Sequence, residues 1–491
     1  MNLQRVIIIG AGPAGLTAAY ELSKFPDKFK VIVLEESSSL GGISRTVEHN
    51  GNLMDMGPHR FFTKVKEVED WWKKLMPLAD VSSPDEKILL KKNRFTRIFF
   101  RGKFYDYPVK MNATTFENLG LGETLKVGMS YFKSLLFKRK ENSLEDFFIN
   151  RFGKKLYSMF FEGYTEKVWG RHPRDISTEW GSQRVKGLSG VAVLKNMIYK
   201  ALNITPKKIE TSLADSFYYP KRGSGQLWEI AAEAAEKNGA EIIMQAKATK
   251  IHRATDNSIS GVVYEQFGKE FELPCDILLS SMPLKDLVAG MENVPENIQK
   301  IAEGLPYRDY MTIGILVPRL NVTVPDHWVY VQGDDVKMGR FLVFNNWSPS
   351  MLKDPNTIWL ALEYFCQEGD EMWTSPDEKF AAFAIDEMIR KNLISSADAV
   401  KDYHIERVKK AYPSYFDTYA QIDELKTYLD TSTNLYCIGR NGQHRYNNID
   451  HSMCTSFEAV KNILSGTKDK SNVWIVNTEE IRRCFHSRKV V

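Results

Sequence analysis

The first fifteen residues constrain the fold most strongly, because they contain a strand, a tight glycine turn and the start of a helix. The β-branched run RVIII at residues 5–9 predicts a buried strand, and the segment after Gly15 has helical character. Gly10 permits the turn, Gly12 lets a pyrophosphate approach the backbone, and Gly15 lets helix and strand pack closely. The predicted dinucleotide contacts are Gly10, Gly12, Pro13, Ala14 and Gly15.

A second strand, VIVLEE at residues 31–36, strengthens this prediction. It places Glu35, followed by Glu36, where a carboxylate can accept hydrogen bonds from an adenosine ribose, and a carboxylate there disfavours a 2′-phosphate. The next turn, GGISRT at residues 41–46, resembles the second glycine turn of flavin amine oxidases. By that resemblance the cofactor is FAD, and its diphosphate and ribityl chain contact Gly41, Gly42, Ser44 and Arg45. The alternative is a glycine loop without a ligand.

Composition excludes several classes of protein. Apolar residues make up 43% and charged residues 26%, as in ordinary globular proteins. Lys and Arg (66) exceed Asp and Glu (62) too little to predict nucleic-acid binding. The longest apolar runs are far shorter than the roughly 20 residues of a membrane span, and the N-terminus does not resemble a signal peptide. Five scattered cysteines predict no metal site and favour a reducing cytoplasm.

The order of these patterns predicts an α/β fold with a discontinuous, Rossmann-like FAD-binding domain. Its three segments are residues 1–92, 212–290 and 426–470, and by resemblance Ala248 lies beside the adenine. Residues 110–211 show helical spacing and predict a helical lobe. Residues 93–109 and 291–425 predict an antiparallel, substrate-facing sheet, in which 93–108 form a hairpin.

The segment at residues 435–452, LYCIGRNGQHRYNNIDHS, predicts a strand, a glycine turn and a helix start. It resembles the flavin-binding end of UDP-galactopyranose mutases. The resemblance implies that Gly439, Arg440, Asn448 and Ile449 contact FAD and that Tyr446 binds a substrate diphosphate.

Three further segments resemble the same family. GYTEKVWG at residues 163–170 implies that Trp169 forms a wall of the sugar pocket, and GSQRV places Arg184 on the diphosphate. Residues 339–349 supply a partner, Arg340, with Asn346 nearby as a further substrate contact, and Tyr412 matches a second diphosphate tyrosine. Two arginines and two tyrosines can together hold a diphosphate. Singly, each residue has an ordinary alternative as a surface, salt-bridged or packing group.

The loop DMGPHRFF at residues 55–62 resembles the family's loop that places a histidine next to the flavin. By that resemblance His59 is a candidate catalytic residue, together with Arg184 and Arg340. The loop departs from the family pattern in two places, because Pro58 replaces a glycine and Arg60 follows the histidine.

The resemblance implies a mutase that interconverts the pyranose and furanose forms of a nucleotide sugar for cell-surface polysaccharides. In this family reduced FAD acts as a nucleophile, so NAD(P)H or another external reductant is required. The alternative within the same fold is an amine oxidase, protoporphyrinogen oxidase or desaturase. A flavin-bound scaffold or sensor is a third reading.

Overall fold

A computed structural model describes residues 3–109, 113–178 and 216–477. The strands in this part of the chain are β1 (Gln4–Ile9), β2 (Phe29–Glu35), β3 (Thr46–His49), β4 (Asn52–Asp55), β5 (Leu89–Asn93), β6 (Thr96–Phe100), β7 (Lys103–Asp106), β8 (Ser216–Pro220), β9 (Glu241–Met244), β10 (Lys247–Arg253), β11 (Ile259–Gln266), β12 (Lys269–Pro274), β13 (Ile277–Ser280), β14 (Tyr307–Val317), β15 (Trp328–Val331), β16 (Arg340–Val343), β17 (Ile358–Cys366), β18 (Asp402–Pro413) and β19 (Leu435–Cys437).

The α-helices in the same ranges are α1 (Pro13–Ser23), α2 (Lys66–Leu75), α3 (Ala113–Leu119), α4 (Leu121–Leu136), α5 (Leu144–Phe152), α6 (Lys154–Tyr157), α7 (Gly163–Trp169), α8 (Gln226–Lys237), α9 (Leu284–Gly290), α10 (Glu296–Glu303), α11 (Phe344–Trp347), α12 (Asp377–Arg390), α13 (Ile422–Asp430), α14 (Gly439–Gly442), α15 (Ile449–Ser465) and α16 (Ser471–Trp474). A π-helical segment, Ser158–Glu162, joins α6 to α7. Across the described residues, no helix is both long enough and apolar enough to cross a membrane.

A five-stranded parallel sheet forms the centre of the first lobe, in the order β19-β13-β1-β2-β9. Its central strand β1 buries Val6, Ile7, Ile8 and Ile9, which face two separate hydrophobic clusters on opposite sides of the sheet. This is why the strand lacks polar alternation: parallel sheets in α/β folds are covered on both faces. The predicted α/β class is confirmed.

A seven-stranded sheet forms the second lobe, in the order β18-β14-β17-β16-β15-β6-β7. The sheet predicted as antiparallel contains one parallel neighbour pair, β6 with β15. The hairpin predicted at residues 93–108 is present as β6 and β7, with Arg101 and Gly102 at positive φ in the turn. Smaller sheets are β10-β11-β12, β3-β4 and β5-β8.

Helices α3 to α7 form a helical region whose core is aromatic. Phe148 and Phe152 stack on Phe161 with ring centroids 4.7 and 4.8 Å apart. These aromatic side chains therefore pack one helical segment against another. The remainder of the predicted helical lobe, including Arg184, lies outside the described residues.

Candidate functional site

Two glycine turns face each other at the carboxyl end of the parallel sheet. Gly10 has a φ of +96°, and a Cβ on Gly15 would lie 1.8 Å from the Gly10 carbonyl oxygen. A Cβ on Gly42 would lie 3.2 Å from the Gly12 Cα. Pro13 and Ala14 begin α1 directly behind this turn. Bare backbone N–H groups and a helix N-terminus thus form a cradle that suits a diphosphate.

Glu35 ends β2 beside this cradle. Its carboxylate accepts hydrogen bonds from the backbone N–H groups of Ala11 at 2.7 Å and Ser37 at 2.9 Å. Each carboxylate oxygen keeps a lone pair for a ribose hydroxyl. Ala246 donates its N–H to the Glu35 carbonyl, and Ala248 is buried two residues later in β10. Glu36 is exposed.

Buried polar atoms next to the second glycine turn test whether a cofactor fits. The Ser44 hydroxyl and the Trp228 indole N–H are buried and have no hydrogen-bond partner among the described residues. Trp228 approaches Gly41, since a Cβ there would lie 3.1 Å from its ring. A buried polar group left unsatisfied costs about 1–3 kcal/mol, so a polar ligand is expected here. The residues therefore fit FAD. Arg45 bonds to the Gly42 carbonyl and to Glu406.

The segment after β19 completes the cradle. A Cβ on Gly439 would lie 2.8 Å from the Ala14 Cβ, and the Ser456 hydroxyl donates to the Ala14 carbonyl at 2.7 Å. The 17-residue helix α15 begins at Ile449, with Asn448 as its N-cap residue. The N-termini of α1 and α15 therefore lie on the same side of the sheet. Nearby, the Asn447 side-chain nitrogen is buried without a partner in the described ranges.

Arg440 is held by backbone carbonyls. Its guanidinium donates to the Ala411 oxygen at 2.9 Å and to the Asn447 oxygen at 2.6 Å, which joins the end of β18 to the start of α15. It also lies 4.7 Å from the centroid of the Tyr446 ring. Arg440 thus positions the loop that carries Tyr446.

Four residues that the sequence assigned to the substrate lie together. Tyr412 and Tyr446 stack with centroids 5.4 Å apart and an interplanar angle of 13°. Trp169 lies edge-on at 6.3 Å from each of them. Arg340 donates to the Tyr412 hydroxyl at 2.9 Å. This group, Arg340, Trp169, Tyr412 and Tyr446, is called the arginine–aromatic cluster below.

Arg340 has a carboxylate partner that sequence reasoning missed. Strands β16 and β17 place Glu363 directly opposite Arg340, and the Arg340 Nε donates to Glu363 Oε2 at 2.5 Å. The Arg340 side chain is 13% exposed and the Glu363 side chain is fully buried. Burial raises the pKa of Glu363, and Arg340 lowers it. The only sequence signal was a carboxylate within the apolar run IWLALEYFC of β17.

His59 lies near this ion pair, on the other side of Gly57. A Cβ on Gly57 would lie 3.4 Å from His59 Nε2, 3.5 Å from Glu363 Oε1 and 3.7 Å from Arg340 Nη2. The His59 Nε2–H donates to the Met56 carbonyl at 2.9 Å. Burial lowers the pKa of His59 to about 3, with Arg440 and Arg340 contributing. The imidazole is therefore neutral at physiological pH and offers a hydrogen-bonding ring without a charge.

Asn346, a predicted substrate contact, and Arg60 both contact the segment at the start of β15. The Asn346 amide donates to the carbonyls of Val324 at 2.9 Å and Asp326 at 2.7 Å, which fastens the segment before β15. Arg60, the departure from the family loop, places its guanidinium 5.5 Å from the Trp328 ring. Burial lowers the pKa of Arg60.

Asp55 ties three segments of the site together. Its carboxylate accepts hydrogen bonds from the Thr46 hydroxyl at 2.6 Å, the Tyr219 hydroxyl at 2.6 Å and the Ser224 N–H at 3.0 Å. Thr46 follows the second glycine turn, and Ser224 precedes α8. Burial raises the pKa of Asp55 to about 6, although these hydrogen bonds oppose the shift.

The raised pKa predicts how Asp55 affects stability. The protonated Asp55 carboxyl stabilises the folded protein, and this stabilisation is fully present below its ordinary pKa of 3.8. About 3 kcal/mol of folding stability is lost as the pH rises through about 6. We expect the stability of the wild-type protein minus that of Asp55→Asn to fall by this amount between about pH 4 and about pH 7. Urea unfolding of both proteins measures it. Parallel pH profiles for the two proteins would contradict the raised pKa.

Comparison with known proteins indicates which families of enzymes the chain resembles. A family model described as flavin containing amine oxidoreductase matches residues 13–412. A dTDP-fucopyranose mutase from Escherichia coli is 26% identical over 178 residues, 35% of this chain and 44% of the mutase. An L-amino-acid oxidase from Crotalus adamanteus is 35% identical over 114 residues, 22% of each protein. The chain thus matches less than half the length of either relative.

Solved structures also match nearly the whole fold. A reduced UDP-galactopyranose mutase superposes with a TM-score of 0.80 at 22% identity, covering 97% of this chain and 99% of that chain. At this identity the likeness shows the fold. The resemblances to the flavin amine oxidases and to the mutases are both confirmed by these matches.

Proposed function

Because the chain belongs to the flavin containing amine oxidoreductase family, we propose that it is an FAD-dependent nucleotide-sugar mutase. It interconverts the pyranose and furanose forms of a sugar bound to a nucleoside diphosphate, for cell-surface polysaccharide precursors made in the cytoplasm. The observation that carries the proposal is the arginine–aromatic cluster, in which Arg340 bonds to Tyr412 and Tyr412 stacks on Tyr446. The similarity to a dTDP-fucopyranose mutase supports it.

The cluster can bind a diphosphate even though Arg340 is paired. An arginine carries five N–H donors, and Glu363 and Tyr412 use two of those on Arg340. Burial raises the pKa of Tyr412 to about 12, so its hydroxyl stays protonated. That hydroxyl accepts from Arg340 and can donate its own hydrogen to a phosphate oxygen. In the proposed complex Arg184 supplies the second cation.

The glycine cradle would hold the cofactor. Gly12 and Gly42 would face the diphosphate with backbone alone, Glu35 would accept from the adenosine ribose, and Ser44 would bond to the flavin side of the molecule. Reduced FAD supplies a nucleophilic flavin nitrogen, which requires an external reductant such as NAD(P)H. Trp169 and the neutral His59 would then border the sugar, so the chain orients the substrate and retains its leaving diphosphate.

Removing one hydroxyl tests the diphosphate site. Tyr412→Phe keeps the stacked ring and removes the group that accepts from Arg340, so UDP and dTDP should bind about 10-fold to 100-fold more weakly, the value of a hydrogen bond to a charged group. Titrations that follow the flavin absorbance measure this affinity. Tyr264→Phe, a buried tyrosine in the separate β10-β11-β12 sheet, is the matched control. Equal affinities in the two variants would refute the assignment.

An oxidoreductase is the second candidate function. The observation that favours it is the Arg340–Glu363 pair, because an arginine already neutralised by a buried carboxylate adds no net charge to the pocket. The similarity to an L-amino-acid oxidase points the same way. Bleaching of the oxidised flavin by amines or amino acids, followed by peroxide formation in air, would favour this function over the mutase.

A further inference from the structure

Helix α4 presents an apolar face to solvent. Leu121, Leu125, Met129, Phe132 and Leu136 are 86, 67, 66, 62 and 61% exposed. Their spacing of three or four residues places them on one face of the helix. They are called the α4 stripe. Single exposed apolar side chains are ordinary. A continuous apolar face along a whole helix instead marks a surface that binds a membrane or another molecule.

Polar contacts fix the helix in this orientation. The opposite face carries the buried residues Val127 and Ser134. The Ser130 hydroxyl accepts the Lys155 N–H at 3.0 Å, and the Glu123 carboxylate pairs with the Lys155 ammonium at 2.9 Å. The α4 stripe therefore cannot turn inward without breaking these contacts.

Cations lie beside and beyond the C-terminal half of the α4 stripe. Residues 121–140 contain five Lys or Arg residues and one Glu, a net charge of +4, which equals the formal net charge of the whole chain. Four of the cations, Lys133, Lys138, Arg139 and Lys140, are exposed at or just beyond the C-terminal half of the helix. Glu123, the one carboxylate among residues 121–140, pairs with Lys126 and Lys155, and Arg139 pairs with Asp146 beyond the helix.

We infer that α4 docks the protein onto an anionic membrane surface. An apolar face bordered by lysines and arginines is the composition of a helix that lies in the plane of the lipid headgroups. Each cation near an anionic surface contributes about 1 kcal/mol. At 1.5 Å per residue the helix provides a contact about 24 Å long. A two-fold contact with parallel α4 helices would instead bring the C-terminal cations of both copies together.

Docking through α4 places the helical region against the membrane. The same region carries Trp169 at the end of α7, so this one member of the arginine–aromatic cluster would belong to a lobe held near the lipid surface. Membrane docking is independent of the reaction that the flavin site carries out. Helix α4 would attach the protein to the surface of one membrane leaflet.

Vesicle flotation with the full-length flavoprotein tests the inference. The wild-type protein should float with vesicles of phosphatidylcholine and phosphatidylglycerol, float poorly with phosphatidylcholine alone, and be released by salt. The variant Leu125→Ser, Met129→Ser, Phe132→Ser should lower the fraction bound at least about tenfold, since it removes three apolar side chains from the contact. Lys133→Glu with Lys140→Glu should abolish the preference for the anionic lipid.

The matched control is Phe267→Ser, an aromatic residue (75% exposed) in the turn between β11 and β12 that is more exposed than Phe132, and this variant should float like the wild type. Retained flavin colour and unchanged melting temperature show that each variant is folded. Failure of the wild type to bind anionic vesicles would overturn the inference. A stable dimer that the serine variant converts to a monomer, without vesicle binding by either protein, would assign the α4 stripe to a second copy and overturn it equally.

Discussion

Replacing Gly15 with alanine is expected to abolish FAD binding. The added Cβ would lie 1.8 Å from the Gly10 carbonyl oxygen and 3.3 Å from the Ile8 side chain, so α1 must move away from β1. The N-terminus of α1 and the bare backbone at Gly12 would then no longer face the diphosphate together. The flavin-to-protein ratio after purification, read from the visible absorbance, measures the effect.

The control for this variant is Gly122→Ala. Gly122 lies in α4, where a Cβ would meet no atom within 4 Å, and alanine favours a helix over glycine by about 1 kcal/mol. It should keep full flavin content and stability. A Gly15→Ala protein that still binds FAD in a one-to-one ratio would contradict the close approach of α1 to the first glycine turn.

Removing the Arg340 guanidinium is expected to lower the free energy of unfolding by about 3–5 kcal/mol. The same change is expected to weaken nucleotide binding. Arg340→Ala leaves the Glu363 carboxylate fully buried without its cation. Combining Arg340→Ala with Glu363→Gln removes the uncompensated charge. This double variant should recover much of the stability and still fail to bind UDP. Denaturant unfolding and UDP titration separate the two effects.

This pair of variants distinguishes a structural arginine from one that also binds substrate. If the double variant regained UDP affinity together with stability, Arg340 would serve the fold alone and the diphosphate site would have to be placed elsewhere. If Arg340→Ala were as stable as the wild type, Glu363 would not depend on Arg340 for its burial.

The cofactor cradle was predictable from the sequence because it is built from local patterns. The turn at Gly10–Gly15 and the carboxylate Glu35 follow their strands directly, and strand geometry determines where they point. The stacking of Tyr412 on Tyr446 joins two segments 34 residues apart, and only the family resemblance indicated that they meet. The fold class and the cofactor could therefore be predicted from the sequence with little knowledge of contacts between distant segments.

The Arg340–Glu363 pair could not be derived in the same way. It depends on the register of β16 against β17, and a one-residue slip would place Glu363 on the opposite face of the sheet. The contacts of Asn346 show the converse: a polar side chain close in sequence to Arg340 bonds to the carbonyls of Val324 and Asp326. Adjacency in sequence does not bring side chains together when a strand ends between them.

Turnover of nucleotide sugars by the reduced protein tests the central claim most directly. The protein, kept anaerobic with dithionite or NADPH, is incubated with UDP-galactopyranose and, separately, with dTDP-fucopyranose, and the products are resolved by chromatography. The proposal predicts that at least one substrate is converted to its furanose form, that the oxidised protein is inactive, and that no reductant is consumed in proportion to product. An absence of furanose from these substrates, together with stoichiometric flavin reduction by an amine or amino acid, would contradict it.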